Sequence, residues 1–288
     1  MQVQKRTCRE QEPNFKLHNK PKPFLKWAGG KSQLLPEIAK RMPLNYDRYL
    51  EPFLGGGAVF FSLSPLQACL IDINDELINT YRVVRDNLDA LISDLKRHIY
   101  DKDYYYNLRN ADRKSEYSNW GDVQKASRFI YLNKSCYNGL YRVNSRHQFN
   151  TPFGRYTNPT ILDEENLRAC SLALQGVELI AGDFSLIESR VTSQDYVYFD
   201  PPYVPLTKSA NFTGYSRNGF DESMQRLLCD LCHRLTTQGV RFMLSNSCAP
   251  LVLELYKSFN IEFVNASRYI NSQSNKRGQI PEVIVTNY

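Results

Sequence analysis

The residues best suited to chemistry lie in Asp195–Tyr203, which has the sequence DYVYFDPPY. Its alternating apolar and aromatic residues predict a strand, which the prolines end because proline donates no hydrogen bond to a sheet. Asp200 then lies at the carboxyl edge of a sheet, where open α/β folds bind ligands. The end of this stretch combines hydrogen-bond acceptors with an aromatic face, which suits a planar ligand carrying an amino group. The residues are Asp200, Pro201, Pro202 and Tyr203. The alternative is a polar strand end followed by a proline turn.

A second stretch, Tyr49–Phe61, has the sequence YLEPFLGGGAVFF and the pattern of a nucleotide site. A short strand, a turn at Gly55–Gly57 and an apolar helix are followed by a second predicted strand in Gln67–Asp75, which ends at Asp72. Glycines let the backbone approach a ligand, and an acid about 20 residues further on binds ribose hydroxyls. No further glycine completes the dinucleotide fingerprint, so the pattern disfavours a dehydrogenase and favours a ligand with one adenosine.

A third candidate is Pro23–Met42, in which a turn at Gly29–Gly30 leads into a helical pattern from Lys31. The start of a helix favours a negatively charged ligand. Trp27 and Lys31 flank the turn as an aromatic platform and a cation. The GGK sequence is weak by itself and is not a P-loop, whose glycines are further apart.

The elements that must position these residues alternate between strand and helix, which predicts an α/β fold. The pattern stops at Glu76 and resumes at Val177, where VELIAGD predicts a strand ending at Asp183. Between them we expect an inserted, mainly helical domain followed by a loop region. Its helical segments are Leu77–Leu95, Tyr104–Asp112 and Val123–Asn133.

The remaining chain completes the predicted sheet with a helix over 221–237, a strand over 240–246 and two final edge strands, Ile261–Val264 and Pro281–Asn287. The count is about seven strands, with the last pair antiparallel. Lys208–Phe220 is polar and predicts a mobile lid, and residues 274–279, SNKRGQ, predict a basic loop. The predicted domains are a flexible basic extension (1–22), a catalytic domain (23–75 and 163–288) and the insert (76–162).

The charge of the chain is mildly basic but unevenly placed. Over 288 residues, 36 Lys and Arg exceed 30 Asp and Glu, and Val123–Leu162 contains no acidic residue. Cations and aromatic residues alternate there, which favours a nucleic-acid surface, although a basic face over an aromatic core is the alternative. The residues are Lys125, Arg128, Lys134, Arg142, Arg146 and Arg155, with Phe129, Tyr131, Tyr137, Tyr141, Phe149, Phe153 and Tyr156.

Cysteine spacing argues against a metal site. Cys229 and Cys232 form the only close pair among seven cysteines, one helical turn apart, and no second pair supplies further zinc ligands. We interpret them as reduced thiols. No apolar run is long enough for a membrane span and no signal peptide is evident, so we expect a cytoplasmic protein that contacts no membrane.

Six motifs in a fixed order resemble the Dam-type DNA adenine-N6 methyltransferases, the alpha group of the D12 class, from Phe24 to Tyr288. They are FLKWAGGK (24–31), EPFLGGG (51–57), LIDIND (70–75), YNGLYRVN (137–144), FNTPFGRY (149–156) and DPPY (200–203). The resemblance implies a seven-stranded Rossmann-like methyltransferase sheet, an inserted target-recognition domain, S-adenosylmethionine as the methyl donor and double-stranded DNA as the substrate.

The resemblance also implies a chemical role for the first stretch. The Asp200 carboxylate and the Pro201 carbonyl would accept hydrogen bonds from the amino group of an adenine stacked on Tyr203, so that the nitrogen lone pair can attack a methyl group. Catalysis would then depend on positioning and electrostatics. Because the amino group is unreachable inside a duplex, the adenine must be flipped out of the helix.

Further roles follow from the resemblance, residue by residue. The implied cofactor contacts are Trp27, Lys31, Phe53, Gly55, Gly57, Asp72, Asp183, Phe184 and Asp200. The implied DNA contacts are Lys26 at the first guanine, Tyr137 and Asn138 opposite the flipped base, Leu140 and Arg142 at the outer base pair, Pro152 and Tyr156 completing the site, and Arg146 and Arg155 on phosphates. The expected target is GATC, modified on each strand.

Other functions remain open on the sequence alone. An amino-group methyltransferase acting on RNA or protein glutamine is one, although such relatives usually carry Asn at the position of Asp200 and lack the basic insert. Another is a DNA-binding protein that has lost catalysis, which the intact Asp200 and Asp72 disfavour. We expect a monomer, with any cognate restriction endonuclease acting separately; a solitary, phage or restriction-linked role stays open.

Overall fold

The computed structural model describes residues 20–206, 220–267 and 279–288. Seven strands form one mixed sheet in the order β3-β2-β1-β4-β5-β7-β6. All neighbours are parallel except the pairs that β7 makes with β5 and β6, which are antiparallel. The strands are β1 (Tyr49–Glu51), β2 (Ala68–Asp72), β3 (Glu178–Ala181), β4 (Tyr196–Phe199), β5 (Arg241–Ser247), β6 (Asn260–Ser267) and β7 (Gln279–Thr286).

The described part of the chain contains nine α-helices in addition to short 3-10 turns. They confirm the predicted helical segments of the insert. The segment Leu77–Leu95 is broken into two helices at Asn87, and the other boundaries differ from the prediction by at most three residues. The helices are α1 (Leu35–Arg41), α2 (Ala58–Leu63), α3 (Asp75–Asp86), α4 (Leu88–Leu95), α5 (Lys102–Arg109), α6 (Asp122–Ser135), α7 (Glu164–Ala173), α8 (Glu222–Thr237) and α9 (Pro250–Leu255).

Both faces of the sheet are buried, as expected for parallel strands covered by helices. In β4, Tyr196 and Tyr198 pack into the layer that contains α2, α3 and α7, whereas Val197 and Phe199 pack into the layer that contains α8 and α9. These alternate contacts explain why the four residues before Asp200 form a fully buried strand. The seven-stranded sheet with helices on both faces confirms the predicted Rossmann-like α/β fold.

One predicted strand position is wrong. The sequence suggested that both final strands lie at an edge, but β7 lies between β5 and β6, and only β6 of the pair is an edge strand. The reason is visible in Val283, Ile284 and Val285, which are all buried. A strand with apolar residues on both faces belongs inside a sheet.

Three predicted features lie wholly or mostly outside the described residues. They are the basic extension, the lid at Lys208–Phe220 and the basic loop at 274–279. The predicted helix after the Gly29–Gly30 turn begins at Leu35 rather than at Lys31. Pro36 stands in the first turn of α1, a position that proline favours. The seven-residue helix therefore starts about one turn after Lys31.

The insert has a small aromatic core of its own. Tyr105 of α5 and Tyr131 of α6 are fully buried, together with Leu132, Cys136 and Phe149. Tyr105 donates a hydrogen bond to the Thr151 carbonyl at 2.8 Å, which attaches the loop after α6 to the helices. The insert also contacts the sheet domain, because α3 packs against both α6 and α7. The proposed domain boundaries stay a prediction.

Arg128 does not belong to the predicted basic surface. Its side chain is only 2% exposed and forms an ion pair with Asp112 at 2.8 Å. It also donates to the Leu108 and Arg109 carbonyls, at 2.9 and 2.8 Å, where α5 ends. Phe129, Tyr131 and Phe149 are buried as well. The acid-free stretch therefore combines an aromatic core with exposed cations, and Arg128 holds the core together.

Candidate functional site

Asp200 follows β4 directly, at the carboxyl edge of the sheet, as the sequence predicted. Its side chain is 21% exposed, and its Oδ1 accepts from Lys31 Nζ at 2.6 Å and from Ser245 Oγ at 3.2 Å. Ser245 in turn shares a hydrogen bond of 2.8 Å with the Tyr198 hydroxyl. No donor in the described ranges reaches Oδ2 of Asp200. One carboxylate oxygen is thus held by the protein, and the other is left to accept from a ligand.

Burial and charge act in opposite directions on this carboxylate. Burial raises the pKa of Asp200 above its ordinary value, while the Lys31 ammonium and the Ser245 hydroxyl lower it. Lys31, which is itself buried, also donates to the Gly29 carbonyl at 2.7 Å. Lys31 was expected at the cofactor; the structure places its ammonium on Asp200, where it stabilises the ionised acid.

The segment after Asp200 is held by side chains of neighbouring elements. Tyr203 donates through its hydroxyl to Glu282 Oε2 at 2.9 Å, and Lys31 Nζ lies 4.6 Å from the centre of its ring. Gln225 of α8 donates to the Pro202 carbonyl at 2.8 Å, and Asn246 of β5 accepts from the Val204 amide at 3.1 Å. No donor in the described residues reaches the Pro201 carbonyl oxygen. The turn is therefore rigid, with its first carbonyl open.

Glu51 is a buried acid next to the same group. It is 3% exposed, and the Tyr49 hydroxyl donates to its Oε2 at 2.8 Å. Burial raises the pKa of Glu51 to about 8, and the negative charge of nearby Asp200 acts in the same direction. Glu51 is therefore protonated near neutral pH, which reduces charge repulsion beside Asp200.

The glycine turn and Asp72 form one hydrogen-bonded unit at the adjacent strand ends. The Gly55 amide donates to Asp72 Oδ2 at 2.9 Å, and the Asn74 amide donates to Oδ1 at 2.9 Å. Gly55 has a φ of +48° and Gly57 a φ of +65°. A Cβ atom on Gly55 would lie 2.7 Å from the Trp27 ring, so this position requires glycine for both backbone and space.

Three aromatic side chains gather beside the glycine turn. Phe53 stacks on Phe184 with ring centres 5.3 Å apart, and Phe220 meets Phe53 edge-on at 5.5 Å. Asp183 precedes Phe184 and accepts from the Ser185 amide at 2.9 Å, which starts a 3-10 turn. The ends of β2 and β3 thus bring two acids to the same edge of the sheet, next to the Phe53–Phe184 pair. These acids are Asp72 and Asp183.

Trp27 joins the glycine turn to the insert. It stacks on Tyr141 at 5.5 Å and on Phe129 at 6.4 Å, while its ring covers Gly55. Most of the ring is thus in contact with protein. A direct cofactor contact by Trp27 stays a prediction, while its packing role is visible.

The predicted DNA residues share one exposed surface around the loop that follows α6. Lys26 Nζ lies 4.0 Å from the centre of the Tyr156 ring, and the Tyr156 hydroxyl donates to the Cys136 carbonyl at 3.0 Å. The Tyr137 amide donates to the Pro152 carbonyl at 2.8 Å, which brings the two loop motifs together. The exposed members are Lys26, Tyr137, Asn138, Leu140, Arg142, Arg146, Pro152 and Arg155.

Arg142 is oriented by a neighbour that the sequence analysis did not identify. Its Nε donates to Asn150 Oδ1 at 2.7 Å, and its Nη2 donates to the Asn150 carbonyl at 3.3 Å. Leu140 is 37% exposed on the same loop. Asn150 thus holds one side of the Arg142 guanidinium, while the Arg142 side chain remains exposed to solvent.

In the part of the chain that the structure describes, no group of three or more His, Cys, Asp or Glu side chains could hold a metal ion. Cys229 and Cys232 are buried thiols, as predicted. Among the described helices, none has the length and apolar character needed to cross a membrane.

Comparison with known proteins identifies the family. A sequence model of the D12 class N6 adenine-specific DNA methyltransferases matches residues 27–270. The chain belongs to this family. The resemblance that the six motifs indicated is thereby confirmed, and DNA rather than RNA or protein is the substrate class of the family.

Members of the family from several organisms align with almost the whole chain. The type II methyltransferase M1.LlaDCHI of Lactococcus lactis subsp. cremoris is 46% identical over 93% of this chain and 95% of its own length. The type II methyltransferase M.MjaIII of Methanocaldococcus jannaschii is 40% identical over 93% and 99%. The DNA adenine methylase of Haemophilus influenzae is 34% identical over 96% and 97%.

In this D12-class methyltransferase, the sequence analysis missed residues that position the acid and the turn. These residues do not belong to the DPPY segment but to β1, β5, α8 and β7. They are Glu51, Ser245, Gln225 and Glu282, in that order. Glu51 stood within the EPFLGGG motif, where a carboxylate in an apolar strand was a usable signal. The other three gave none, because only the tertiary structure brings them to the edge of the sheet.

Proposed function

We propose that this methyltransferase transfers a methyl group from S-adenosylmethionine to N6 of adenine in GATC, in double-stranded DNA, on a base flipped out of the helix. The observation that carries the proposal is the pair of open acceptors, Asp200 Oδ2 and the Pro201 carbonyl, beside Tyr203. Two acceptors match the two N–H groups of an adenine amino group. They favour a nitrogen whose lone pair is free to attack.

The residues at the neighbouring strand ends fit S-adenosylmethionine. Asp72 is held by the Gly55 and Asn74 amides, and each of its oxygens retains acceptor capacity for a ribose hydroxyl. Phe53 and Phe184 supply apolar surface for an adenine ring, with Asp183 next to them as an acceptor. The bound cofactor supplies an electrophilic methyl group on a sulfonium. We assign Trp27, Lys31, Gly57 and Asp200 to the rest of this binding site.

Lys31 has a specific part in the proposed chemistry. By holding Asp200 Oδ1 at 2.6 Å it favours the ionised carboxylate, which is the form that only accepts hydrogen bonds. Lys31 also lies over one side of the Tyr203 ring. We assign to Tyr203 the stacking of the flipped base, whose removal from the helix costs a few kcal/mol.

The exposed loop surface supports the choice of DNA target. An Arg such as Arg142 makes bidentate contacts with guanine, and an apolar side chain such as Leu140 contacts a thymine methyl group. We propose that Lys26 contacts the first guanine, that Tyr137 and Asn138 occupy the gap left by the flipped base, and that Pro152 and Tyr156 complete the surface. Arg146 and Arg155 would bind phosphates. The enzyme would act as a monomer, separately from any restriction endonuclease.

The test uses cells that lack adenine methylation and express the protein. Their DNA is digested separately with an enzyme that requires methylated GATC and one that requires unmethylated GATC. Cleavage by the first and protection from the second are expected. The same DNA is also sequenced for N6-methyladenine. Methylation at a different GAT-containing sequence would contradict the proposed target site. Absence of N6-methyladenine would contradict the proposed activity.

Asp200→Ala is the matched variant for this experiment. It should abolish methyl transfer and leave DNA binding within about threefold of wild type, because one acceptor and the charge are lost while the DNA surface is unchanged. Single-turnover methylation and a binding titration on a GATC duplex measure the two effects. Substantial turnover by Asp200→Ala would remove this residue from the catalytic group.

A further inference from the structure

The most informative buried polar group outside the proposed catalytic site is the side chain of Asn133, near the end of α6. It is 1% exposed. Its Oδ1 accepts from the Lys26 amide at 2.8 Å, and its Nδ2 donates to the Lys26 carbonyl at 2.7 Å. The same Nδ2 donates to the Gly139 carbonyl at 3.1 Å. One amide thus joins the segment before Trp27 to the turn formed by Tyr137, Asn138 and Gly139.

The two joined segments are in direct contact at this point. Gly139 has a φ of +64°, and a Cβ atom there would lie 2.4 Å from Lys26 Cβ and 2.5 Å from Lys26 Cδ. The Lys26 stem therefore lies against the glycine, and its ammonium is held 4.0 Å from the centre of the Tyr156 ring. The direction of the Lys26 side chain depends on the contact between segments that Asn133 makes.

We infer that Asn133 is a positioning residue for DNA recognition, which sets Lys26 and the Tyr137–Gly139 turn at a fixed spacing toward the target bases. The inference rests on the proposed function, since it is through Lys26 and Asn138 that Asn133 acts. Because Asn133 is buried, it would act through these residues and not by touching DNA. A buried amide with all its polar atoms satisfied is a rigid support, because each lost hydrogen bond leaves an unpaired group.

The test compares Asn133→Ala with Asn287→Ala. Asn287 makes an equivalent pair of contacts at the other end of the sheet, accepting from the Phe242 amide at 2.9 Å and donating to the Val240 carbonyl at 2.8 Å. Single-turnover methylation is measured on a GATC duplex and on duplexes with one changed outer base pair. S-adenosylmethionine binding and thermal unfolding are measured on each variant.

Asn133→Ala is expected to lower the ratio of cognate to changed-site rates about tenfold and to raise the DNA concentration needed for half-maximal rate, with cofactor binding unchanged. Asn287→Ala should leave the ratio as in wild type, even where it unfolds at a lower temperature. An unchanged ratio in Asn133→Ala, or an equal fall in Asn287→Ala, overturns the inference. If wild type transfers no methyl group to DNA, the proposed function itself has failed.

A second variant keeps the test decisive if Asn133→Ala does not fold. Gly139→Ala leaves Asn133 in place but inserts a methyl group between the turn and the Lys26 stem. The same loss of discrimination is expected, together with faster hydrogen exchange at the Lys26 amide. Wild-type discrimination in a folded Gly139→Ala protein would show that the spacing is not needed, which contradicts the inference.

Discussion

At the scale of single residues, the main feature of the site is that the two oxygens of Asp200 have different hydrogen-bond partners. Oδ1 is bound by Lys31 and Ser245, and no donor among the described residues reaches Oδ2. A carboxylate whose protein partners all bind one oxygen keeps a fixed orientation. This arrangement allows a buried acid to remain an acceptor, although burial raises its pKa.

Lys31→Met is expected to shift the pH dependence of methylation. Lys31 lowers the pKa of Asp200 against the effect of burial, so its removal raises that pKa further. Because the proposed chemistry requires the ionised acid, the acidic limb of the rate profile should move to higher pH. Single-turnover rates at saturating cofactor and DNA, measured between pH 5 and 9, test this.

Two variants calibrate this shift. Ser245→Ala should move the limb in the same direction by less, since the effect of Ser245 on the pKa of Asp200 is smaller than that of Lys31. Lys40→Met, on the exposed side of α1, should leave the limb in place. A wild-type limb in Lys31→Met would show that the ionisation of Asp200 does not control the rate.

Glu51→Gln is expected to change the pH dependence of stability. Burial raises the pKa of Glu51 from an ordinary 4.5 to about 8. The contribution of Glu51 to the free energy of unfolding is then fully present below pH 4.5 and is lost as pH rises through 8. The loss amounts to roughly 1.4 kcal/mol for each pKa unit.

Urea unfolding at pH 5 and pH 8.5 measures this effect. Wild type should lose more free energy of unfolding between the two values than Glu51→Gln, whose amide can still accept from Tyr49 but cannot ionise. Glu178→Gln, on the exposed edge strand β3, should follow wild type. Equal pH dependence of wild type and Glu51→Gln would mean that Glu51 is ionised in the folded protein.

At the scale of elements, the segment 24–31 connects three parts of the molecule. Lys26 contacts the loop surface of the insert, Trp27 covers the glycine turn, and Lys31 binds Asp200. These residues lie within one short stretch, so the proposed DNA contacts, the proposed cofactor surface and Asp200 are mechanically linked. The loop over 137–156 is also held by Tyr105, which donates to the Thr151 carbonyl, and by two isolated β-bridges, Cys136–Phe153 and Val143–Phe149.

Arg142→Ala should relax discrimination at one outer base pair by about 1–3 kcal/mol. Asn150→Ala should have a smaller effect in the same direction, because Asn150 holds the Arg142 guanidinium. Arg146→Ala serves as the contrast, since loss of a phosphate contact weakens binding to all sequences and reduces the salt dependence. Rates on a panel of duplexes with single changes test this; unchanged site preference in Arg142→Ala would exclude it as a base contact.

At the scale of the whole molecule, the sheet and the insert have separate cores joined through α3, α6 and the segment 24–31. The net charge of +6 is therefore less informative than its distribution. Arg128 contributes to that charge but supports the fold of the insert. Its partner Asp112 also accepts from the Phe149 amide at 2.8 Å, so the ion pair connects α6, α5 and the loop.

Arg128→Met should destabilise the protein by about 1–3 kcal/mol, because Asp112 loses its buried cation and keeps only that of Arg113, and the Leu108 and Arg109 carbonyls lose a buried donor. Chemical unfolding followed by circular dichroism measures the loss. Arg155→Met, which removes an exposed cation from the same basic stretch, should unfold like wild type but bind DNA more weakly. A wild-type unfolding free energy in Arg128→Met would show that the pair adds no stability.

The local features of this protein could be predicted from residue types along the chain. Alternation and prolines placed Asp200 after a buried strand, glycines placed the turn before α2, and motif order identified the family. These features depend on residues close together in the chain, where backbone geometry alone selects the structure.

Which residues lie together at the site became visible only in the folded protein. In the folded protein Lys31 binds Asp200, and β7 lies inside the sheet rather than at its edge. Residues from three further elements also meet at this edge of the sheet, namely Ser245, Gln225 and Glu282. The fold also separates the buried Arg128 from the exposed cations beside it in sequence. Burial and long-range pairing depend on how helices and strands pack, and a pattern of residue types along one segment does not contain that information.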